Sequence, residues 1–180
     1  MKLIRIDDIV AEPWKNKAGV TRELARREDA NGLIWRMSVA DVDRDGPFSV
    51  FPGLTRILTV IEGAGLRLHM PDGVIEALPA LPVRFDGGVR VDCDLVDGPV
   101  RDFNLIFDAA RAEIDVLRLE PDKHNVDAAL AVLPLGAPCD VKSVGAAPPG
   151  SVVLFGANDR NLQINVNAGA VALLVTAGQA

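Results

Sequence analysis

Turn-forming residues divide this chain so finely that few elements longer than about ten residues can fit between them. Asn31-Gly32, Asp45-Gly46-Pro47, Pro52-Gly53, Pro71-Asp72-Gly73, Asp86-Gly87-Gly88 and Asp97-Gly98-Pro99 follow one another at short intervals. Each supplies a positive φ, a fixed φ or a local side-chain hydrogen bond, the ingredients of tight turns. The runs between them, "LIWRMSVADV", "TRILTVIEG", "LRLHM", "VRVDCDLV" and "FNLIF", are short and either alternating or wholly apolar. This pattern predicts an all-β protein built from antiparallel sheets, as a sandwich or barrel. Helical spacing is visible only in "GVTRELARRE", and more weakly in "NVDAALAVL"; the first also reads as a strand running into a basic turn.

The turn-and-strand pattern occurs twice. "LPVRFDGGVRVDCDLVDGPVRDFNLIF" resembles "PPGSVVLFGANDRNLQINVNAGAVALLVT", with Phe85 seventy positions before Phe155 and Val100 seventy before Ala170. Upstream, "LTVIEGAG" from Leu58 matches "LAVLPLGAP" from Leu130. Internal repetition of this kind implies duplicated supersecondary units. The expectation is two jelly-roll β-barrels, 1–110 and 111–180, packed intimately as one unit. A barrel closed over a cavity is a common place for a small ligand.

Composition narrows the function. The chain of 180 residues is 49% hydrophobic and 24% charged, with a formal net charge of -6. That balance suits a globular core and argues against nucleic acid, which requires a basic face. Aromatic residues, at 4%, are too sparse for a base-stacking platform. No apolar window reaches the ~18 residues of a membrane span, and Asp7 and Asp8 stand where a signal peptide needs an apolar run. A cytoplasmic location is the expectation. Cys93 and Cys139 lie too far apart for zinc-ribbon spacing and read as buried free thiols.

Conventional catalytic motifs are missing. His69 and His124 are the only two histidines, so neither the histidine set of a metal-dependent cupin nor a histidine-activated serine is expected. The "GAGLRL" at Gly63 contains G-x-G without a third glycine or a following helix, and reads as a hairpin turn. In "WRMSVADV", strand alternation sends Trp35, Met37 and Val39 to one face and Arg36, Ser38 and Ala40 to the other. Arg56 opens the apolar strand "TRILTV". Arginine suits bidentate capture of a carboxylate. Composition alone reads Arg36, Arg56 and Arg101 as solvated, their stems covering apolar surface.

These residues belong to a longer set. "PWKN" with "VTREL", then "WRMSVADVDRDGPFSVFPGLTRILTVIEGAGLRL", "FDG" and "GPVRDFNLIF" resemble the HutD/Ves family in order from Pro13 to Phe107. The resemblance implies a cupin-superfamily fold of two barrel-like halves, without the metal-binding histidines of typical cupins and without a cofactor. It also implies a small anionic metabolite as ligand, such as urocanate or formylglutamate of histidine utilisation.

Transferred onto this chain, the motifs give Trp14, Lys15, Asn16, Arg22, Arg36, Ser38, Ser49, Arg56 and Asp86 as the candidate ligand-binding residues. Lys15, Arg36 and Arg56 would supply charge, Asn16 and Ser38 orientation, and Trp14 a wall at the mouth. Phe48, Phe85 and Phe103 are expected in the core. The chain departs from the family pattern at Lys17-Ala18, at Thr55 where Asp is usual, and at Gly88 where an acidic residue often follows. Two other readings stand beside ligand binding. One is a metal-independent isomerase or hydrolase using Lys15, Asp86 or Asp102. The other is an interaction module, including a homodimer, joined through an exposed sheet edge.

Overall fold

In the computed structural model, which describes residues 1–14 and 18–177, nearly every element is a strand. They are β1 (Lys2–Arg5), β2 (Glu12–Pro13), β3 (Gly19–Asp29), β4 (Gly32–Val42), β5 (Gly46–Pro47), β6 (Thr55–Glu62), β7 (Leu66–Met70), β8 (Gly73–Ala77), β9 (Val83–Asp86) and β10 (Asp92–Leu95). Then come β11 (Val100–Phe107), β12 (Ile114–Leu119), β13 (Asp122–Val126), β14 (Ala129–Leu135), β15 (Cys139–Val141), β16 (Gly145–Ala147), β17 (Ser151–Leu154), β18 (Leu162–Val166) and β19 (Val171–Ala177). Among the described residues a single 3-10 turn, Ile6–Asp8, interrupts them. No helix among the described residues is long and apolar enough to cross a membrane.

The strands fall into two compact units, Ile9–Ala112 and Met1–Asp8 with Glu113–Ala180. The first unit has sheets ordered β2-β3-β4-β11-β6-β9 and β5-β10-β7-β8; the second has β1-β17-β14-β19-β12 and β13-β18-β15-β16. Strip β2, β3 and β1, and the two units have the same jelly-roll topology strand for strand. β11 answers to β19, β6 to β14, β9 to β17 and β10 to β18, in agreement with the sequence repeat. The first unit ends at Ala112, and the first eight residues belong to the second unit. There β1 pairs antiparallel with β17, covering that sheet's edge from Lys2↔Leu154 to Arg5↔Ser151.

The stretch "GVTRELARRE" is a strand throughout, paired with β4 from Gly19↔Val42 to Asp29↔Gly32. Val20 and Leu24, four apart, satisfy an even strand period as well as a helical one, and cross-strand pairing decides between them. The register shift between Glu23 and Ala25 leaves Leu24 without an opposite residue on β4 and buries it, as a bulge does. "NVDAALAVL" likewise supplies the end of β13 and most of β14.

Each unit has its own apolar filling. In the first it includes Val42, Phe48, Leu58, Val60, Leu66, Leu68, Val91 and Cys93. In the second it includes Val132, Val141, Val153, Leu162, Ile164 and Leu174. Burying a side chain of this size stabilises the fold by roughly 1.5–3 kcal/mol. Both cysteines are buried free thiols, held neutral chiefly by burial, which pushes Cys93 up to about 12 and Cys139 to about 11.

The β6–β7 connection turns on Gly63, with φ +99; it joins strands of two different sheets, so the turn expected to be a hairpin is a crossover. A Cβ there would sit 2.8 Å from the Pro99 carbonyl oxygen and 2.8 Å from Val100 Cγ1. Gly53, with φ +78, has nothing within 4 Å of that position. Gly53→Ala should therefore cost only the backbone strain, about 1 kcal/mol. Gly63→Ala should cost about 2–4 kcal/mol, because the carbonyl cannot move aside without disturbing β11. Urea titration of the two variants checks the ranking; equal losses would contradict it.

Candidate functional site

The sheet register of the first unit sets the site. On β11, Asp102, Asn104 and Ile106 point to one face. Ile106 lies opposite Arg36 of β4 and Arg56 of β6, and Arg56 lies opposite Phe85 of β9. One row along, Asn104 is flanked by Ser38 and Leu58. The next row places Asp102 between Ala40 and Val60. Arg36 and Arg56 thus rise from strands two apart, about 10 Å between backbones, on either side of an isoleucine.

Above these rows is a cavity of about 120 Å³ lined by Trp14, Thr21, Arg36, Ser38, Ala40, Phe48, Ser49, Phe51, Arg56, Asn104 and Ile106. An apolar cavity of ~150 Å³ takes up benzene, so this one suits a carboxylate head group with a few atoms behind it. Its aromatic wall is ordered: Trp14 and Phe48 meet edge to face at 5.9 Å. Trp14 Nε1 donates to Thr21 Oγ1 at 2.7 Å. Ser38 is buried on the floor, while Ser49 is exposed at the rim.

Arg56 dominates the electrostatics. It is 6% exposed, with its guanidinium carbon 4.6 Å from the centre of the Phe48 ring and 5.6 Å from that of Phe85. Nε and Nη2 both donate to Asn104 Oδ1, at 2.8 Å and 2.5 Å. Nη1 has no hydrogen-bond partner among the described residues. Asn104 Nδ2 in turn donates to Asp102 Oδ1. Burial lowers the Arg56 pKa, and the Asp102 charge raises it again; guanidinium stays charged under either influence. Asp102 is fully buried, and burial pushes its carboxyl up to about 6 against the pull of Arg56 and Asn104. Its Oδ2 is buried without a hydrogen-bond partner among the described residues.

The second unit is an internal control for this chain of polar groups. Following the repeat, Asp102 corresponds to Ala172 and Asn104 to Leu174. Arg56 corresponds to the register shift of β14, where Ala129 lies opposite Thr176 as Arg56 lies opposite Ile106, and the Leu130 carbonyl accepts from the Phe155 amide as Arg56 lies opposite Phe85. Ala129, Ala172 and Leu174 all belong to the second unit's apolar cluster. The same topology therefore closes with three apolar residues there, and the buried arginine is no requirement of the fold.

Of the residues expected at the site, Trp14, Arg36, Ser38, Ser49 and Arg56 meet around the cavity. Arg36 does so with Nε already donating to Glu23 Oε2 at 2.6 Å. Arg22 and Asp86 do not join them. Arg22 pairs with Asp41, which also accepts from Arg101 Nε at 2.5 Å. Burial would raise Asp41, but Arg101 and Arg22 outweigh it and hold the carboxyl below its ordinary range. Asp86 is exposed, and its Oδ1 accepts from the Gly88 amide at 2.7 Å, a turn-stabilising bond. Lys15 and Asn16 lie outside the described residues. Asn104, Thr21 and Phe48 complete the wall without having been assigned to it. Asn104 and Thr21 sit inside the recognised motifs, and Phe48 is both buried and cavity-lining.

Among the described residues, no three His, Cys, Asp or Glu side chains come together to hold a metal. His69 instead faces Asp94 at 2.8 Å, and His124 faces the Glu120 carbonyl at 2.9 Å. The cavity's own donors, guanidinium groups, an amide and hydroxyls, suit an anion and repel a cation.

Comparison with known proteins bears on the same region. The sequence model of the HutD family matches residues 6–143. HutD from Pseudomonas fluorescens SBW25 (formate condition) is 31% identical, with a TM-score of 0.83 over 99% of both chains. The conserved protein of unknown function PA5104 from Pseudomonas aeruginosa PAO1 is 30% identical, with a TM-score of 0.77 over 99% of this chain and 98% of that one. An uncharacterized 21.2 kDa protein in the hutC 3' region of Pseudomonas putida is 43% identical over 112 residues. That match covers 59% of this chain and spans only 58% of the relative's length. The bacterial pirin YhhW from Escherichia coli, solved with nickel(II), is 9% identical at a TM-score of 0.66 over 99% of both chains. It shares the fold alone.

The position of Asp102 makes a signed prediction. Its folded pKa, about 6, lies above the ordinary aspartate value of about 3.9. The folded state therefore holds the extra proton between those values, and stability falls as pH rises through about 6. Relative to Asp102→Asn, the native protein should lose roughly 2–3 kcal/mol between pH 4 and pH 7. Urea titrations of both proteins across that range cancel the contributions of other carboxylates. A pH-independent difference would contradict the assignment.

Proposed function

The chain belongs to the HutD family, and from that premise we propose that it is a binding protein for a small carboxylate, held in the first unit's cavity by Arg56. The observation that carries this reading is a buried guanidinium with one nitrogen unpartnered among the described residues, beside a cavity, at a place where the second unit has apolar residues. A buried cation is costly to keep unless something pairs with it. Its two bonds to a neutral amide hold Asp102, the carboxylate that offsets its charge, one residue further away and leave Nη1 for a ligand, and arginine and carboxylate match in geometry. Arg36, across Ile106, provides a second cation for a ligand with two acidic groups. Trp14 and Phe48 provide a flat apolar wall for the atoms between.

The relative in the hutC 3' region ties that protein by its description to a histidine-utilisation locus, and on that ground urocanate and N-formylglutamate are the first ligands to test. Retention and sensing, not turnover, is the role that the site's chemistry favours. Among the described residues, Ser38 and Ser49 have no histidine beside them to act as base. Asp102, the carboxyl that titrates nearest neutrality, is screened from the cavity by Asn104.

A thermal-shift series with urocanate, N-formylglutamate, glutamate and formate tests the reading, since a ligand at a hundred times its Kd adds about 2.7 kcal/mol of stability. At least one carboxylate should raise the melting temperature. Arg56→Gln should weaken its binding about 10- to 100-fold, the loss of a charge-assisted hydrogen bond of about 1.5–3 kcal/mol. Arg22→Gln, at a residue outside the cavity, should leave binding unchanged. No shift with any carboxylate, or equal effects of the two substitutions, would overturn the proposal.

A further inference from the structure

Behind Arg56 the wall holds a carboxyl that carboxylate binding by itself does not need. Asp102 reaches Arg56 only through Asn104, so the two charges offset each other across one amide instead of meeting directly. We infer that an anion entering the cavity takes Arg56 as its counterion and that Asp102 takes up a proton from solvent as it does so, so that the site binds an anion and a proton together. This rests on the carboxylate-binding reading above and specifies its chemistry.

In the empty site one buried cation, Arg56, balances one buried carboxylate, Asp102. A bound carboxylate at Nη1 adds a second negative charge to the same guanidinium. Two carboxylates sharing one cation in a weakly screening interior do not both stay ionised near neutrality. The ligand reaches water past the exposed Ser49 at the rim, whereas Asp102 is fully buried. The proton therefore goes to Asp102. Oδ2, which has no hydrogen-bond partner among the described residues, receives it, and Oδ1 keeps its bond from Asn104. No existing hydrogen bond is broken and no covalent bond other than O–H forms.

The neighbours support this assignment of the proton. Arg56 faces Asp102 from β6 and lowers its pKa, while Asp41 of β4 raises it. Asp41 is itself held ionised by Arg101 and Arg22. Cys93 of β10, with Asp45 and Asp94 beyond it, is kept neutral, its thiol pushed up to about 12 by burial and by Asp102. Asp102 already stands at about 6 in the empty site, so a modest further rise carries it across neutrality.

Calorimetric titration of the full chain decides the matter, with sodium formate and N-formylglutamate as probes. Both are fully ionised at pH 7, so any proton taken up comes to the protein and not to the ligand; urocanate is left out because its imidazole titrates in this range. Titration at pH 7 in Pipes and in imidazole, whose ionisation heats differ, counts the protons. The expected result is uptake of more than half a proton per molecule bound, with Kd rising up to tenfold from pH 7 to pH 8. Asp102→Asn should abolish both and bind more tightly than the native protein at pH 8. If that variant does not fold, the native proton count alone decides. Binding without proton uptake and with a flat Kd overturns the inference while leaving carboxylate binding intact; no binding of either probe overturns both.

Discussion

Arg56 is the constraint around which the first unit is arranged. A guanidinium on the inward face of a central strand has to be neutralised, hydrogen-bonded and packed, and each need recruits a different strand. β11 supplies Asn104 to accept two of its N–H groups and Asp102 to balance its charge. Phe48 and Phe85 supply ring faces on either side, and a cation over an aromatic face is favourable. What remains unsatisfied, Nη1, lies beside the cavity. Among the described residues that nitrogen has no acceptor, and Arg56 lines the cavity.

The repeat shows that the fold does not depend on this arrangement. Both units close the same strand order, but where the first places Arg56, Asn104 and Asp102 the second places Ala129, Leu174 and Ala172 in an apolar cluster. One barrel is filled in the ordinary way, and the other gives up part of its core to a polar chain. Local departures of this kind from apolar packing mark functional sites. They also separate the question of what stabilises the protein from the question of what it binds.

Much of this was legible in the sequence. The turn residues set the strand lengths, the repeat predicted two like units, and alternation in "WRMSVADV" placed Arg36 and Ser38 on one face. The direction of that face follows only from pairing with β11, which no local pattern encodes. Asn104 was harder to single out for the same reason. In "RDFNLIF" it is one polar residue in an apolar strand, and its meaning depends on lying one row from Arg56 of a different strand. Arg22 and Asp86 carried the right chemistry but found nearer partners, Asp41 and the Gly88 amide. The pairing of β1 with β17 joins residues about 150 positions apart, a distance over which hydrophobic periodicity carries no information.

The central claim is geometric, and a crystal structure of the chain with N-formylglutamate at saturating concentration tests it most directly. A ligand carboxylate oxygen should lie within hydrogen-bond distance of Arg56 Nη1, with Asn104 still accepting from Nε and Nη2 and the ligand's remaining atoms against Trp14 and Phe48. A ligand seated elsewhere on the chain, with the Arg56 cavity holding only water, would contradict it.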